Sequence, residues 1–112
     1  MSEDCIFCKI AAGEIPCKKI YEDSDVIAFH DIHPAAPVHF MIVPKEHIAS
    51  LEQAEARHEQ LLGRILLLAP VLAREQGLTD GFRTIINTGR GGGQEVFHLH
   101  VHVIGGNGPR GL

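Results

Sequence analysis

Residues 98–104 read His98-Leu99-His100-Val101-His102-Val103-Ile104, so three histidines alternate with aliphatic residues near the C-terminus. Successive side chains of a β-strand point to opposite faces, and the pattern predicts a strand with the imidazoles on one face and the aliphatic side chains on the other. Buried imidazoles need hydrogen-bond partners and disfavour one another's charged forms. A functional site is therefore expected here, with a histidine-rich surface strand and a metal site as the alternatives.

A glycine-rich loop leads directly into this predicted strand. Residues 87–94 read Asn-Thr-Gly-Arg-Gly-Gly-Gly-Gln. Glycine allows backbone N–H groups to approach an anion closely, so a loop of this kind beside the imidazoles favours phosphate binding. Taken alone, the glycines are also typical of a flexible hairpin loop.

Length and charge narrow the class of protein. A chain of 112 residues is expected to form one domain, residues 1–112, and is small for enclosing a whole cleft, which favours oligomerisation. The sequence has no secretory signal and no stretch long and apolar enough to span a bilayer, so we expect a cytoplasmic protein that does not bind membranes. The formal charge is −4 and no block of Lys or Arg is present, which argues against nucleic acid as a partner.

Two helices are predicted. Apolar residues at helical spacing indicate a long helix at residues 54–76, with Gly77 as its C-cap. Pro70 lies inside this segment and is expected to kink or interrupt the helix. A short helix is predicted at residues 6–12, where Gly13 stops it.

Short runs of alternating or apolar residues, separated by turn-forming residues, predict strands. The predicted fold class is α+β, a five-stranded antiparallel sheet with one long and one short helix. The five strands are expected at residues 18–22, 26–30, 39–43, 81–87 and 96–104.

The chain resembles the histidine triad (HIT) family, whose signature of three histidines alternating with hydrophobic residues is matched at residues 98–104. The resemblance continues through Phe-His-Asp-Ile at residues 29–32, Ala-Pro-Val-His-Phe-Met-Ile-Val-Pro-Lys at 36–45, Asn-Thr-Gly at 87–89 and Gly-Gly-Gln-Glu-Val-Phe at 92–97. It covers nearly the whole chain and is closest to the Hint branch, the purine nucleoside phosphoramidases. It implies a HIT-like fold and a homodimer in which two five-stranded sheets join edge to edge.

The cysteines suggest a second site. Cys5 and Cys8 have the Cys-x-x-Cys spacing of metal ligands, which redox pairs and packed thiols share. The resemblance implies a structural Zn²⁺, because family members with this motif complete the site with the histidine of a Pro-Lys-x-His segment and the first triad histidine, here His47 and His98. Such a four-ligand site is closed, so the zinc would pin the N-terminal segment and would not be required for catalysis. Cys17 is expected to be a packed or surface thiol.

The resemblance also implies the catalytic residues. His100, the middle histidine, would attack the α-phosphorus, since neutral imidazole is a nucleophile that needs no metal. Its Nδ1–H is expected to donate to a backbone carbonyl, leaving the Nε2 lone pair for the attack. Water would then hydrolyse the nucleotidyl-histidine to a nucleoside monophosphate. His102 and His39 match positions flanking the phosphate, where N–H donors offset its charge.

A set of nucleotide-binding residues carries over in the same way. Asp31 would accept hydrogen bonds from the ribose hydroxyls, although an Asp at this place is also typical of a turn. Glu95 replaces the Ser of some family members, so only its backbone amide could serve a phosphate. The full set is Phe29 and Ile32 for the base, Asp31 for the ribose, Asn87 for the ribose or phosphate side, and Gly93, Gln94 and Glu95 for the phosphate.

Three alternatives to a purine nucleoside phosphoramidase remain at this point. A dinucleoside polyphosphate hydrolase of the same superfamily would use the same histidine. A nucleotide-binding regulatory module would bind without turnover, but an intact His100 favours an enzyme, since a binder needs donors and no nucleophile. A metal-dependent hydrolase is disfavoured, because no acidic residue stands at a spacing that would complete an open metal site with the triad.

Overall fold

The computed structural model describes residues 4–106, which form one antiparallel sheet and two α-helices. The strands lie in the order β1-β2-β3-β5-β4, so β3 and β5 are neighbours although residues 45–100, which include α2 and β4, separate them in the chain. The predicted fold class is confirmed. The helices are α1 (Ile6–Ala11) and α2 (Glu59–Glu75), and the strands are β1 (Lys19–Glu22), β2 (Val26–His30), β3 (Val38–Pro44), β4 (Arg83–Ile85) and β5 (Val101–Gly105).

Both faces of the sheet are covered, which explains why β2 and β3 read as continuous apolar runs. One face packs against α2 through Phe40, Ile42 and residues of neighbouring strands. The opposite face packs against α1 and includes Met41. Val101 and Val103 of β5 belong to the α2 face. His102, directly opposite Met41, therefore lies on the α1 face.

Helix α2 is shorter than predicted at its start. Residues 51–58 form two single 3₁₀ turns, Leu51–Gln53 and Ala56–His58, and not the first turns of the helix. The Ser50 hydroxyl accepts the Glu52 N–H, which fixes the first turn as a separate unit.

Pro70 is expected to kink or interrupt the helix, and the interruption is wrong, since α2 continues through it to Glu75. The carbonyl that would have accepted its N–H belongs to Leu66, on the exposed side of the helix, where water can replace the lost partner. Gly77, with φ +91°, ends the helix as predicted. The N–H groups of Gly77 and Leu78 donate to the carbonyls of Arg74 and Ala73, the hydrogen bonds of a Schellman motif.

The strands predicted at residues 81–87 and 96–104 are shorter in the structure, as β4 (Arg83–Ile85) and β5 (Val101–Gly105). Residues 98–100 lie outside the sheet ladder, and Leu99 N–H donates to the Ile48 carbonyl at 2.7 Å. The alternation predicted for the histidine segment still holds, because Leu99 and Val101 are both 1% exposed. Among residues 4–106, no helix is long and apolar enough to cross a membrane.

Candidate active site

The antiparallel pairing of β3 with β5 brings the catalytic candidates together. His39 pairs with Ile104 and Met41 pairs with His102, so His39 and His102 are diagonal neighbours on one face. Their ring centroids lie 5.1 Å apart. The rings of His100 and His102 lie 4.8 Å apart, so three imidazoles form one continuous group.

His100 has a fixed orientation. Its Nδ1 lies 2.7 Å from the backbone carbonyl of His98, which can only accept, so Nδ1 carries the proton. This is the hydrogen bond that the sequence led us to expect. A neutral imidazole has a single N–H, so the lone pair of His100 lies on Nε2. That atom is available as a nucleophile.

His39 and His102 form a directed chain of hydrogen bonds. The Ala35 N–H donates to His39 Nδ1 at 3.0 Å, which leaves the proton of the neutral His39 ring on Nε2. His39 Nε2 then donates to His102 Nδ1 at 2.9 Å. His102 in turn carries its proton on Nε2, so the chain ends in an outward N–H donor beside His100.

Burial keeps this chain neutral. Desolvation is the main cause that lowers the pKa of His102 from 6.5 to about 4, and the neighbouring His100 and His39 lower it further. Desolvation also lowers the pKa of His39, although Asp31 partly offsets that shift. At neutral pH the pair therefore donates hydrogen bonds as neutral imidazoles and does not act as imidazolium.

The two carboxylate oxygens of Asp31 have different neighbours. One carboxylate oxygen accepts the His33 N–H at 2.8 Å, the turn contact that was the alternative interpretation of this residue. The other lies 3.3 Å from His39 Nε2. The sequence spacing indicated no acidic residue that could complete a metal site with the triad, but the structure brings potential ligand atoms of Asp31, His39 and His102 within 4.8 Å of one another. Folding brings Asp31 there from the end of β2.

The glycine-rich loop has a defined shape. Arg90–Gly92 forms a 3₁₀ turn, bounded by Gly89 at φ +71° and Gly93 at φ +83°, conformations that glycine adopts without strain. Asn87 begins the loop, and a Cβ on Gly92 would lie only 3.9 Å from its main chain. The loop therefore closes back on its own start.

Gln94 anchors this loop from inside. It is 5% exposed, and its side-chain oxygen accepts the Gly89 N–H at 2.9 Å. Its side-chain nitrogen donates to the carbonyls of Ala49 and Val96 at 2.8 and 3.0 Å. The Gln94 side chain is therefore used within the protein, and the N–H groups of Gly92, Gly93 and Gln94 also donate within the loop. Glu95, the next residue, is exposed.

Of the two residues expected to bind the base, one is exposed and the other is buried. Ile32 is 84% exposed, so its side chain is available to a ligand. Phe29 is 3% exposed and lies in the core beneath the site, edge-on to Phe7 at 5.6 Å. Phe7, which sequence reasoning missed, also meets the ring of His100 edge-on at 5.1 Å. Its position between the two cysteines of the Cys-x-x-Cys motif was the available signal.

A second cluster lies directly beside this site and contains the four predicted metal ligands. The Cys5 and Cys8 sulfur atoms lie 3.1 and 3.5 Å from His98 Nδ1, and Cys8 Sγ lies 3.2 Å from His47 Nδ1. Ligand atoms on neighbouring corners of a tetrahedral zinc site are about 3.5 Å apart for S and N. His98 Nε2 donates to the Pro44 carbonyl at 2.7 Å, so Nδ1 is the nitrogen left for a metal. The donor set and its spacing fit Zn²⁺.

Comparison with known proteins places the chain among close relatives. The model of the HIT domain matches residues 12–108. The purine nucleoside phosphoramidase of Escherichia coli is 47% identical over 107 residues, covering 95% of this chain and 90% of that protein. The 14 kDa zinc-binding protein of Zea mays is 48% identical over 103 residues, covering 90% and 80%. A solved structure of a histidine triad protein from Clostridium difficile superposes with a TM-score of 0.94 at 44% identity, covering 100% and 98%.

Proposed function

The chain belongs to the HIT domain family, and on that premise we propose that it is a nucleotide hydrolase that cleaves the P–N bond of purine nucleoside 5′-phosphoramidates. The observation that carries the proposal is the hydrogen bond from His100 Nδ1 to the His98 carbonyl, which leaves the nucleophilic lone pair on Nε2. The name of the Escherichia coli relative supports the choice of a phosphoramidate as substrate.

The first chemical step is attack of His100 Nε2 on the α-phosphorus. The new N–P bond forms as the bond from phosphorus to the substrate's amine nitrogen breaks, and the amine leaves with a proton taken from water. In the second step water attacks the nucleotidyl-histidine and gives up a proton to the hydroxide left by the first step, and His100 leaves with its lone pair restored. The products are the nucleoside monophosphate and the free amine.

The neighbouring groups stabilise charge on the phosphoryl oxygens. The outward Nε2–H of His102 donates to one of them, and His39 holds His102 in the tautomer that makes this possible. The backbone amide of Glu95 serves the same oxygens, because the N–H groups of Gly92, Gly93 and Gln94 already donate within the loop. Neutral donors suit this task, since they add no buried charge before the reaction begins.

Nucleoside binding is proposed for the opposite side of the site. Asp31 accepts from the ribose through the carboxylate oxygen that faces His39, while its other oxygen stays in the turn. Ile32 covers one face of the base, and Phe29 supports the base from below through the core. Asn87 serves the ribose or phosphate side at the start of the glycine-rich loop.

We further propose a structural zinc held by Cys5, Cys8, His47 and His98. All four ligand atoms lie within 4.8 Å of one another, and the Zea mays relative is named as a zinc-binding protein. Bound zinc would supply a cross-link between α1 and the sheet, with no open coordination position for chemistry. A reducing compartment such as the cytoplasm would keep both cysteines as thiolate ligands.

A homodimer is the proposed assembly. Leu67 and Val71 stand four residues apart on α2 and are 75% and 44% exposed, so they form an apolar surface outside the buried face of the helix. Strand β4 forms one edge of the sheet. Pairing two copies would cover both features with one isologous interface.

The test of the proposed activity is hydrolysis of an adenosine 5′-phosphoramidate by the unchanged chain and by His100→Ala. We expect His100→Ala to lose roughly 10⁴-fold in kcat while still binding AMP, because the loop and Asp31 remain. His33→Ala, a matched exposed histidine, should leave turnover unchanged. Alkaline quench and intact mass measurement should reveal a covalent nucleotidyl adduct only where His100 is present.

The same assays separate the alternatives. A dinucleoside polyphosphate hydrolase would turn over diadenosine polyphosphates faster than the phosphoramidate, and a binding module would bind AMP with no turnover of either. Retention of turnover within about tenfold by His100→Ala, with no adduct on the unchanged chain, would show that the covalent-histidine proposal is wrong.

A further inference from the structure

His98 belongs to two sites at once. Its side chain is fully buried at 0% exposure, with Nδ1 facing Cys5 Sγ at 3.1 Å and Nε2 donating to the Pro44 carbonyl at 2.7 Å. Its backbone carbonyl accepts the Nδ1–H of His100 at 2.7 Å. The residue that would ligate the metal is therefore the residue whose peptide group orients the nucleophile.

This connection matters because one hydrogen bond selects the tautomer of His100. A neutral imidazole carries its proton on either nitrogen, and a partner at Nδ1 decides which. If the His98 carbonyl moves or rotates, the proton of His100 is free to occupy Nε2, and the lone pair then points away from the phosphorus. A displacement too small to unfold the chain would be enough, since hydrogen bonds weaken steeply with misalignment.

A second connection runs through Phe7. This residue stands between the two cysteines on α1, and Cys5 itself caps the helix by accepting the Cys8 N–H at 3.2 Å. The Phe7 ring meets the His98 ring at 5.9 Å and the His100 ring at 5.1 Å, both edge-on. A metal that holds the cysteines would thus also hold the ring that packs against the nucleophile.

We propose that the cluster of Cys5, Cys8, His47 and His98, when it holds zinc, positions His100 for attack, so that loss of the metal lowers turnover although the metal takes no part in the chemistry. His98 and Phe7 are the positioning residues of this arrangement. The inference rests on the proposed function for its kinetic consequence, but the tautomer of His100 is a property of the protein alone.

The experiment compares the zinc-loaded chain with the same chain unfolded in chelator and refolded without metal, and with Cys8→Ser. Cys17→Ser is the matched control, since Cys17 is a free cysteine outside the cluster. For the two metal-free samples we expect kcat for the phosphoramidate to fall about 10- to 100-fold, the size typical when groups supporting a site are lost. AMP affinity should change by less than about threefold, because this split between kcat and binding reflects orientation and not loss of the pocket.

Long-range ¹H–¹⁵N NMR of the imidazoles supplies the readout that a merely structural metal would not move. His100 should be protonated at Nδ1 in the zinc-loaded chain and in Cys17→Ser, and the Nε2–H form should appear in the metal-free samples. Returning zinc to the refolded chain should restore both the tautomer and kcat.

Phe7→Leu keeps all four ligands and tests the second connection. It should retain one zinc per chain while kcat falls. The proposal can therefore be tested with Phe7→Leu even if Cys8→Ser fails to fold. The proposal is overturned if metal-free chain that still binds AMP keeps its kcat and the Nδ1–H form of His100. If even the zinc-loaded chain hydrolyses no phosphoramidate, the proposed function fails by itself, and the NMR comparison still decides the inference.

Discussion

Stability should fall on acidification through His102, and the structure sets the size of the effect. Its pKa is lowered from 6.5 to about 4 in the folded protein, chiefly by desolvation. Between these two values the unfolded chain binds a proton that the folded chain does not, so lowering the pH through this window favours unfolding. From about pH 7 to about pH 5, a shift of this size costs about 2 kcal/mol of unfolding free energy.

The matched variant is His102→Asn. The Asn side-chain oxygen can accept from His39 Nε2–H in place of His102 Nδ1, but it does not titrate. Urea unfolding of both proteins at about pH 7 and about pH 5 gives the loss of unfolding free energy on acidification for each protein. The difference between these two losses gives the contribution of His102 titration, even if the substitution itself is destabilising. We expect the variant to lose about 2 kcal/mol less than the unchanged chain on acidification.

Acid also weakens zinc binding, because thiolate and imidazole ligands take up protons. That contribution is common to both proteins, since His102 lies outside the metal cluster, and it cancels in the comparison. Equal losses in the two proteins, within about 0.5 kcal/mol, would refute the conclusion that His102 is held neutral by its environment.

Two further predictions concern the metal and the assembly. Metal analysis of protein purified without added zinc should find close to one zinc per chain. Cys8→Ser should lose the metal, and its Tm in thermal unfolding should fall by several degrees. A metal-free preparation whose Tm is undiminished would contradict the zinc proposal. Light scattering of the unchanged chain at micromolar concentration should give the mass of a dimer. Leu67→Glu should give the mass of a monomer, because it places a charge in the apolar interface. A monomer mass for the unchanged chain would contradict the homodimer proposal.

The alternation of the histidine segment was predictable because it is local. A period of two places Val101 and Val103 on the α2 face and His102 on the other face, whichever strands lie beside them. The strand ends were less predictable. Leu99 lies outside the sheet ladder and donates to the Ile48 carbonyl, a contact that depends on where the β3–α2 connection passes.

The site needed information that no local pattern contains. Asp31 and His102 are 71 positions apart in the chain, and the pairing of β3 with β2 on one side and with β5 on the other brings their neighbourhoods together. The contact of Phe7 with His100 likewise depends on α1 crossing the sheet at one place. The spacing of residues in a sequence indicates ligands only when they lie on the same secondary-structure element. For this reason it indicated Cys5 and Cys8 but not the group around Asp31.

That group around Asp31 bears on the metal-dependent alternative. Two imidazoles and a carboxylate with ligand atoms within 4.8 Å resemble an open metal site in composition. To ligate through Nε2, however, His39 would have to carry its proton on Nδ1, where the Ala35 N–H already donates at 3.0 Å. Two donors would then face each other, and the Ala35 N–H would lose its acceptor on the His39 ring. At the other cluster the hydrogen bonds are arranged the opposite way, because His98 Nε2 donates to Pro44 and leaves Nδ1 open to a metal. The backbone partners of the two histidines thus direct a metal to the cysteine cluster and keep His39 as a hydrogen-bond donor to His102.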